Sequence, residues 1–298
     1  MSWSNVLQLI VSGLAMGAIY TLTAKGLYIA HLATRRLNFG QGEFLMIAAF
    51  LSLAMLKAGV PALAVIAAVV LLLGAAGWLL ERAFIRPLDR LGFRGGGEYS
   101  WILTTAGAAL ILQNVAELVW GKSAQYSPPL FSSRGHVLRV MGAGIYTEQL
   151  AVIAAAIAVV VAFYWFLYAT RWGKAVYAVA FNADTAPLLG IDVRRMVVVV
   201  FALASMLAGI SGVLVGPIVS VYPHMGLAFT IKGLAVAAVG GFANPVAILV
   251  SGALFGLAES FSNYFDSNFG DLYPLLAVLG LLILRPSGFV GERQAAVR

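Results

Sequence analysis

The chain has no cysteine, so disulfide bonds and thiolate metal sites are excluded. Charged side chains are also scarce: they make up 10% of the 298 residues, whereas a soluble domain carries about 25%. The three histidines, His31, His136 and His224, lie too far apart in sequence to form a metal motif. These shortages leave no room for a soluble nucleotide-binding, DNA-binding or secreted catalytic domain.

Apolar residues are abundant instead. Hydrophobic residues account for 61% of the chain, and the mean hydropathy is +0.94. A membrane-spanning helix needs about 20 mostly apolar residues, and the runs here are continuous rather than alternating. We therefore predict an all-α fold: a single transmembrane domain over residues 1–298, forming a polytopic helix bundle. It should have about eight to ten membrane segments in two pseudo-symmetric halves with interrupted helices.

Flanking charge predicts how the spans are oriented. The segments 31–37, 82–94 and 171–195 and the C-terminal tail together hold thirteen of the 19 basic residues. Lys and Arg collect in cytoplasmic loops, so we predict an outside N-terminus and a cytoplasmic C-terminus. The net charge of +7 follows from these loops and does not indicate a nucleic-acid partner. The apolar runs predict spans at 5–30, 39–57, 61–81, 99–120, 149–170, 195–220, 228–243, 246–264 and 271–285, of which the second and seventh could be re-entrant.

Two interrupted segments carry most of the polar signal. The first places Asn38, Phe39, Gly40, Gln41, Gly42 and Glu43 at the start of an apolar run, and the second places Gly240, Gly241 and Asn244 before Pro245. Irregular backbone at membrane depth is tolerated when it is buried in protein or lines a wet cavity. Broken segments in the two halves of a chain therefore indicate a transport pathway. An ordinary loop at the membrane surface is an equal alternative for the second segment.

Four ionisable residues are predicted to lie at membrane depth: Lys25, Glu43, Lys232 and Glu259. A charge there is costly and usually pairs or faces water. Our hypothesis is that Glu43 pairs with Lys232 from the other half. Snorkelling of each lysine to the membrane surface is the alternative.

The segment 171–195 is too polar to cross the membrane. It predicts a short helix over about 174–182, a second turn capped by Asp184 or Thr185, and termination at Gly190. Such a unit is either a ridge for a cytoplasmic partner or an amphipathic helix lying on lipid, and spacing alone favours neither.

Three pairs of glycines recur at four-residue spacing. They are Gly13 with Gly17, Gly212 with Gly216, and Gly252 with Gly256. This spacing lets helix backbones approach closely, which predicts packing within one bundle, with a subunit interface as the alternative.

Several of these segments together resemble a known family. The segment 37–44 resembles the "(I/L)NFAHGE" signature of branched-chain amino acid ABC importer permeases, with Gln41 where the family usually has His. Similar stretches follow in order over nearly the whole chain, and the length is similar to that of the shorter, H-type permease. The matching stretches are 171–191, 208–214, Lys232 with Gly240 and Gly241, and 284–291.

The resemblance implies a heteromeric importer in the bacterial inner membrane. Its parts would be this chain, a second permease subunit, two cytoplasmic ATP-binding cassette ATPases and a periplasmic solute-binding protein. ATP would be used by the partner subunits, so this chain would be a transporter subunit that holds no cofactor. The solute would be a branched-chain amino acid, or else urea, a short amide or an aromatic acid.

The same resemblance implies roles for named residues. The pathway would be lined by 38–43, Lys232, Gly240, Gly241 and Asn244. The segment 171–195 would be a coupling segment that docks in an ATPase groove. Its implied coupling residues are Arg171, Gly173, Lys174, Asp184, Leu188, Leu189 and Gly190. A stand-alone secondary transporter or channel is the remaining alternative, with Glu43 and Glu259 as the acids available for an ion site.

Overall fold

The apolar runs fold into helices that coincide with the nine predicted spans. The computed structural model describes residues 2–87, 97–131, 137–140, 142–242, 244–285 and Gly288. The helices are α1 (Trp3–Thr34), α2 (Gln41–Lys57), α3 (Ala62–Leu80), α4 (Gly97–Trp120), α5 (Thr147–Ala169), α6 (Arg171–Phe181), α7 (Val193–Val215), α8 (Met225–Val239), α9 (Pro245–Phe265) and α10 (Leu272–Leu284). The all-α bundle is confirmed, with α6 as an additional short helix between two spans.

Helix length separates full spans from short ones. Six described helices are long and apolar enough to cross a membrane: α1, α3 with its π-helical extension Glu81–Ile85, α4, α5, α7 and α9. α8 and α10 are apolar but shorter. The 15 residues of α8 extend about 22 Å, against about 30 Å of hydrocarbon. The seventh predicted span is therefore a short helix that ends at the glycine-rich break.

The predicted halves are visible in the helix packing. α1 packs against α9 as α7 packs against α3, and α1 contacts α8 as α7 contacts α2. The contacts of α2 with α3 and α4 likewise correspond to those of α8 with α9 and α10. Exchanging α1–α4 with α7–α10 thus preserves the pattern. The nine predicted crossings would place α1 and α7 in opposite directions, as in inverted repeats.

Glycines bring α1 and α9 into backbone contact. A Cβ atom added to Gly13 would lie 2.9 Å from the carbonyl oxygen of Gly256, and one added to Gly17 would overlap the carbonyl of Gly252. The predicted packing of these two glycine pairs within one bundle is confirmed. Gly212 similarly abuts the backbone of α2, whereas Gly216 has more room.

The long connection 121–148 contains a small hairpin. Strand β1 (Val137–Val140) pairs antiparallel with β2 (Ala143–Tyr146), and Val137 lies opposite Tyr146. A further bridge joins Gln125 to Val221, which ties this connection to the segment before α8. Several basic residues used for the orientation lie outside the described residues: Arg90, Arg94, Arg293 and Arg298.

Candidate functional site

The segment between α5 and α7 forms a helix, a turn and a 3-10 helix. The hydroxyl oxygen of Thr170 accepts a hydrogen bond from the backbone N–H of Gly173 at 3.1 Å, which caps α6. After Phe181 the chain turns into the 3-10 helix Ala186–Leu189. Gly190 ends that helix with φ of 76°, a conformation that favours glycine. The predicted short helix, second turn and glycine stop are confirmed.

Thr185 occupies the N-cap position of the second turn, as predicted, but the side-chain bonds at this turn come from Asn182. Asn182 Oδ1 accepts hydrogen bonds from the N–H groups of Asp184 at 2.9 Å and Thr185 at 3.2 Å. The side chain of Thr185 makes no cap bond to the 3-10 helix. Asn182 lies at the end of α6, and its short side chain can accept a hydrogen bond from the backbone N–H two residues further along the chain.

Large apolar side chains project from this segment. Phe181 is 92% exposed, Leu188 is 85% exposed and Leu189 is 74% exposed. Behind them lies a groove of about 560 Å³ whose lining includes Arg35 and Lys174, and which we call the coupling groove. Exposed apolar residues gathered beside a groove are typical of an interaction surface.

The structure divides the implied coupling residues by exposure. Gly173 is buried, and a Cβ atom there would overlap the carbonyl groups of Phe166 and Leu167. Gly173 therefore serves the junction of α5 with α6. The others are exposed: Arg171, Lys174, Asp184, Leu188, Leu189 and Gly190.

Two polar contacts join α6 to the C-terminal part of α1. A guanidinium N–H of Arg35 donates to the carbonyl oxygen of Ala180 at 3.2 Å. The hydroxyl groups of Tyr28 and Tyr177 lie 3.3 Å apart. Burial raises the pKa of the Tyr177 hydroxyl, so it stays protonated and able to donate. The coupling groove is thus tied directly to the longest helix of the bundle.

The first interrupted segment is buried. Asn38 and Gln41 are fully buried, and Glu43 is 3% exposed. Gln41 Nε2 donates to the carbonyl oxygen of Ala204 in α7 at 2.8 Å. Asn38 Oδ1 accepts from the N–H of Gly40 at 3.0 Å. These polar groups therefore fold the 38–43 backbone against the bundle and are enclosed by it in this conformation.

The starts of α2 and α8 meet beside Glu43. The N–H of Gly42 donates to Thr230 Oγ1 at 2.9 Å, and a Cβ atom on Gly226 would overlap the carboxylate of Glu43. Glu43 Oε2 is buried and has no hydrogen-bond partner among the described residues. A carboxylate at two helix N-termini is favoured by the positive ends of their dipoles.

The hypothesis that Glu43 pairs with Lys232 was wrong. Lys232 Nζ lies 3.0 Å from Glu259 Oε1 and 3.1 Å from Asp271 Oδ2. Glu43 faces the first turn of α8, whereas Lys232 lies almost two turns further along that helix and reaches towards α9 and α10. The charge pattern identified the ionisable residues but did not indicate which helix faces meet.

The second interrupted segment ends α8 and starts α9. Gly241 has φ of 78°, and Gly240 packs against Ile248. Asn244 Oδ1 accepts from the N–H of Val246 at 2.9 Å and caps α9. Lys25 Nζ donates to the carbonyl oxygen of Pro245 at 2.8 Å. Asn244 thus has a structural role at the break, and Lys25 holds α1 against it.

Lys232, Glu259, Asp271 and Tyr20 form an ionic cluster. Two of its members, Tyr20 and Asp271, were not identified from the sequence as candidate functional residues. Tyr20 donates from its hydroxyl group to Glu259 Oε1 at 2.9 Å, and Asp271 binds Lys232. Tyr20 lies within a continuous apolar run, so the sequence around it does not mark it as a member of a polar cluster. Asp271 is the first residue of the predicted span 271–285, a position that marks a membrane boundary but does not indicate an ion pair.

Comparison with known proteins identifies the family. The family model described as "Branched-chain amino acid transport system / permease component" matches residues 9–284. The chain belongs to this family. It is therefore a permease subunit of an ABC-type importer and not a catalytic enzyme.

Curated relatives of this permease extend over nearly its whole length. The high-affinity branched-chain amino acid transport system permease protein LivH of Escherichia coli (strain K12) is 26% identical over 303 residues, covering 97% of this chain and 96% of LivH. The corresponding protein BraD of Pseudomonas aeruginosa is 30% identical over 313 residues, covering 97% of each chain. The fructose import permease protein FruG of Bifidobacterium longum is 24% identical over 261 residues, covering 85% of this chain and 74% of FruG. The relatives thus include permeases for chemically different solutes.

Proposed function

We propose that this permease passes a branched-chain amino acid, or a related small polar solute, across the bacterial inner membrane. Its two most extensive relatives above are named for branched-chain amino acid transport. In this proposal a periplasmic binding protein delivers the solute to this chain and a second permease subunit. Two cytoplasmic ATPases use ATP to drive the change between outward- and inward-facing forms. The C-terminus lies on the cytoplasmic side.

The exposed coupling segment is the observation that carries this proposal. Phe181, Leu188 and Leu189 project from a segment that lies between two spans and is too polar to cross. Burying them against an ATPase would stabilise the complex by removing apolar surface from water. Nucleotide can then bias the permease by changing the contacts that the ATPase makes with each form.

The interrupted segments are the proposed pathway elements. Asn38 Nδ2 and Gln41 Oε1 are buried without a hydrogen-bond partner among the described residues. An unsatisfied buried polar group costs about 1–3 kcal/mol, so water or solute entering between the halves would relieve it. Gly240 and Gly241 provide a second break, after α8 in the other half.

Co-purification tests the proposed function. The full chain, expressed with the neighbouring genes of its own genome and extracted in mild detergent, should bring down a second permease and an ATPase pair. The purified assembly should hydrolyse ATP faster when its binding protein and solute are added. A chain that purifies alone and supports flux without ATP would contradict the proposal.

Charge reversal in the coupling groove should uncouple this assembly. Lys174→Glu places an acid where an exposed cation now lines the groove, and we expect solute-stimulated ATPase activity to fall about tenfold, equivalent to about 1.4 kcal/mol. Lys122→Glu is the matched control because Lys122 is also exposed but lies in the 121–148 connection. Membrane insertion of both variants should equal that of the wild type. Equal stimulation in the two variants would place the docking site elsewhere.

A further inference from the structure

A second polar cluster lies between α1, α8, α9 and the start of α10. Lys232 binds both Glu259 and Asp271, and the Tyr20 hydroxyl shares Glu259 Oε1 with Lys232. The side chains of Lys232 and Glu259 are about one-tenth exposed, whereas that of Asp271 is 63% exposed. The cluster is therefore buried at one end and open to solvent at the other.

The formal charges of this cluster do not balance. One ammonium group faces two carboxylates, and Tyr20 contributes a neutral hydroxyl. A buried charge without a partner is strongly destabilising. Water can compensate Asp271 at the exposed end, but Glu259 is 7% exposed. Lys232 therefore pairs with Glu259 at the buried end, and the cluster as a whole carries one net negative formal charge.

A cleft opens beside Glu259. Its volume is about 330 Å³, at the lower end of the range of about 300–1,000 Å³ that ligand pockets occupy. Glu259 lines it together with Ser12, Ser260 and Asn263. Glu259 Oε1 is occupied by Tyr20 and Lys232, whereas Oε2 is buried and has no hydrogen-bond partner among the described residues. One acceptor oxygen of a carboxylate that lines this cleft is therefore left without a partner among the described residues.

We propose that this cleft binds the ammonium group of a zwitterionic solute, with Glu259 as its anionic partner. Lys232 and Tyr20 hold Oε1 and so orient Oε2 for a charge-assisted hydrogen bond. The proposal rests on the proposed function and narrows it, because amino acids carry an ammonium group, whereas sugars, urea and simple amides do not. The site would be separate from the segments 38–43 and 240–244.

Protection from chemical labelling tests the site without requiring transport. The assembled wild-type transporter in lipid nanodiscs is treated with a water-soluble carbodiimide and a glycine amide, and labelled peptides are quantified by mass spectrometry. L-Leucine and 3-methylbutylamine should reduce labelling of Glu259 at least about threefold. 4-Methylpentanoate, which lacks the ammonium group, should leave it unchanged. Asp266, partly exposed in the same α9–α10 connection, is the internal control. Equal labelling of Glu259 with all three compounds would overturn the proposal.

Variants separate a binding role from a purely structural ion pair. Glu259→Gln should reduce L-leucine uptake about tenfold, the expected effect of losing one hydrogen bond to a charged group. Asp266→Asn should transport like the wild type. The single variant Glu259→Gln leaves Lys232 with one partner fewer and should unfold at a lower temperature than the wild type. The double variant Lys232→Met with Glu259→Gln removes both members of the pair, so it should regain thermal stability relative to Glu259→Gln without regaining uptake. Recovery of uptake in the double variant, or normal uptake in Glu259→Gln, would reduce Glu259 to a structural partner.

The two proposals fail in different ways. If wild-type transporter accumulates no leucine while both amines still protect Glu259, the proposed function fails and the ammonium site stands. If leucine is transported while neither amine protects Glu259, the proposed function stands and the ammonium site is wrong.

Discussion

Single polar side chains cap the start of several helices of this permease. Asn244, Thr170 and Asp192 each accept a hydrogen bond from a backbone N–H at the start of α9, α6 and α7. These bonds satisfy donors that the first helical turn leaves free. The start of α9 is the most consequential of the three because it lies directly after the glycine-rich break.

Removing the cap of α9 should destabilise the fold. Asn244→Ala leaves the Val246 N–H without its acceptor, and we expect a loss of about 1 kcal/mol. The control is Asn114→Ala, since Asn114 is exposed and bonds only the carbonyl of Leu110 in its own helix. Unfolding in detergent, followed by circular dichroism, measures both variants. Equal stability of the two would show that Asn244 does not act as a cap.

At the residue scale, the sequence predicted which side chains are ionisable groups in the membrane but did not predict which residues they pair with. Lys232, Glu43 and Glu259 were recognised as ionisable groups within spans, yet Lys232 was assigned the wrong acid. A pair of this kind depends on the rotation of each helix about its axis and on relative depth, and neither follows from the order of residues. The end of a helix at a glycine, by contrast, depends only on the local backbone, so the end of the 3-10 helix at Gly190 could be predicted.

At the element scale, the close approach of α1 and α9 is the most constrained feature. The carbonyl of Gly252 lies where a side chain at position 17 would go, and the backbone near Gly13 occupies the corresponding place for Gly256. In lipid, such contact supplies packing energy in place of the hydrophobic effect.

A side chain at this contact should separate the two helices. Gly17→Val forces overlap with backbone, and overpacking of this kind costs about 1–3 kcal/mol. Gly280→Val is the matched control, because a Cβ atom there meets no atom within 4 Å. The free energies of unfolding of the two purified variants, obtained from thermal unfolding, should differ by that amount. A similar unfolding temperature for both would contradict the packing described here.

Helix positions were largely predictable because long apolar runs have few alternatives in a membrane. The start of α6 was displaced by three residues because Thr170, and not a residue nearer Lys174, supplies its cap. The hairpin of β1 and β2 was missed because its eight residues carry little periodic signal within a polar connection.

At the scale of the whole molecule, two halves of opposite direction surround the meeting point of α2 and α8. The predicted orientation places the 121–148 connection outside and the coupling segment inside. It was inferred from the distribution of basic residues, several of which lie beyond the described ranges.

Single-cysteine labelling tests this orientation, and the chain offers a clean background because it contains no cysteine. A membrane-impermeant maleimide should label Tyr126→Cys in intact spheroplasts, since Tyr126 is 80% exposed. Asp184→Cys should be labelled only after permeabilisation. The reverse pattern would invert the topology and place the coupling segment outside.

Because no side chain separates α1 from α9 at their glycine contact, the two helices can slide past each other only by breaking close backbone packing, and they therefore move as one stiff body. α1 is about 48 Å long and carries Tyr28 and Arg35 near one end and the cleft residue Ser12 near the other. A tilt of α1 that is imposed at the coupling groove therefore also tilts the cleft residues at the other end of the helix. The residues that line the cleft all lie on α1 and α9, so the cleft keeps its shape while this body tilts.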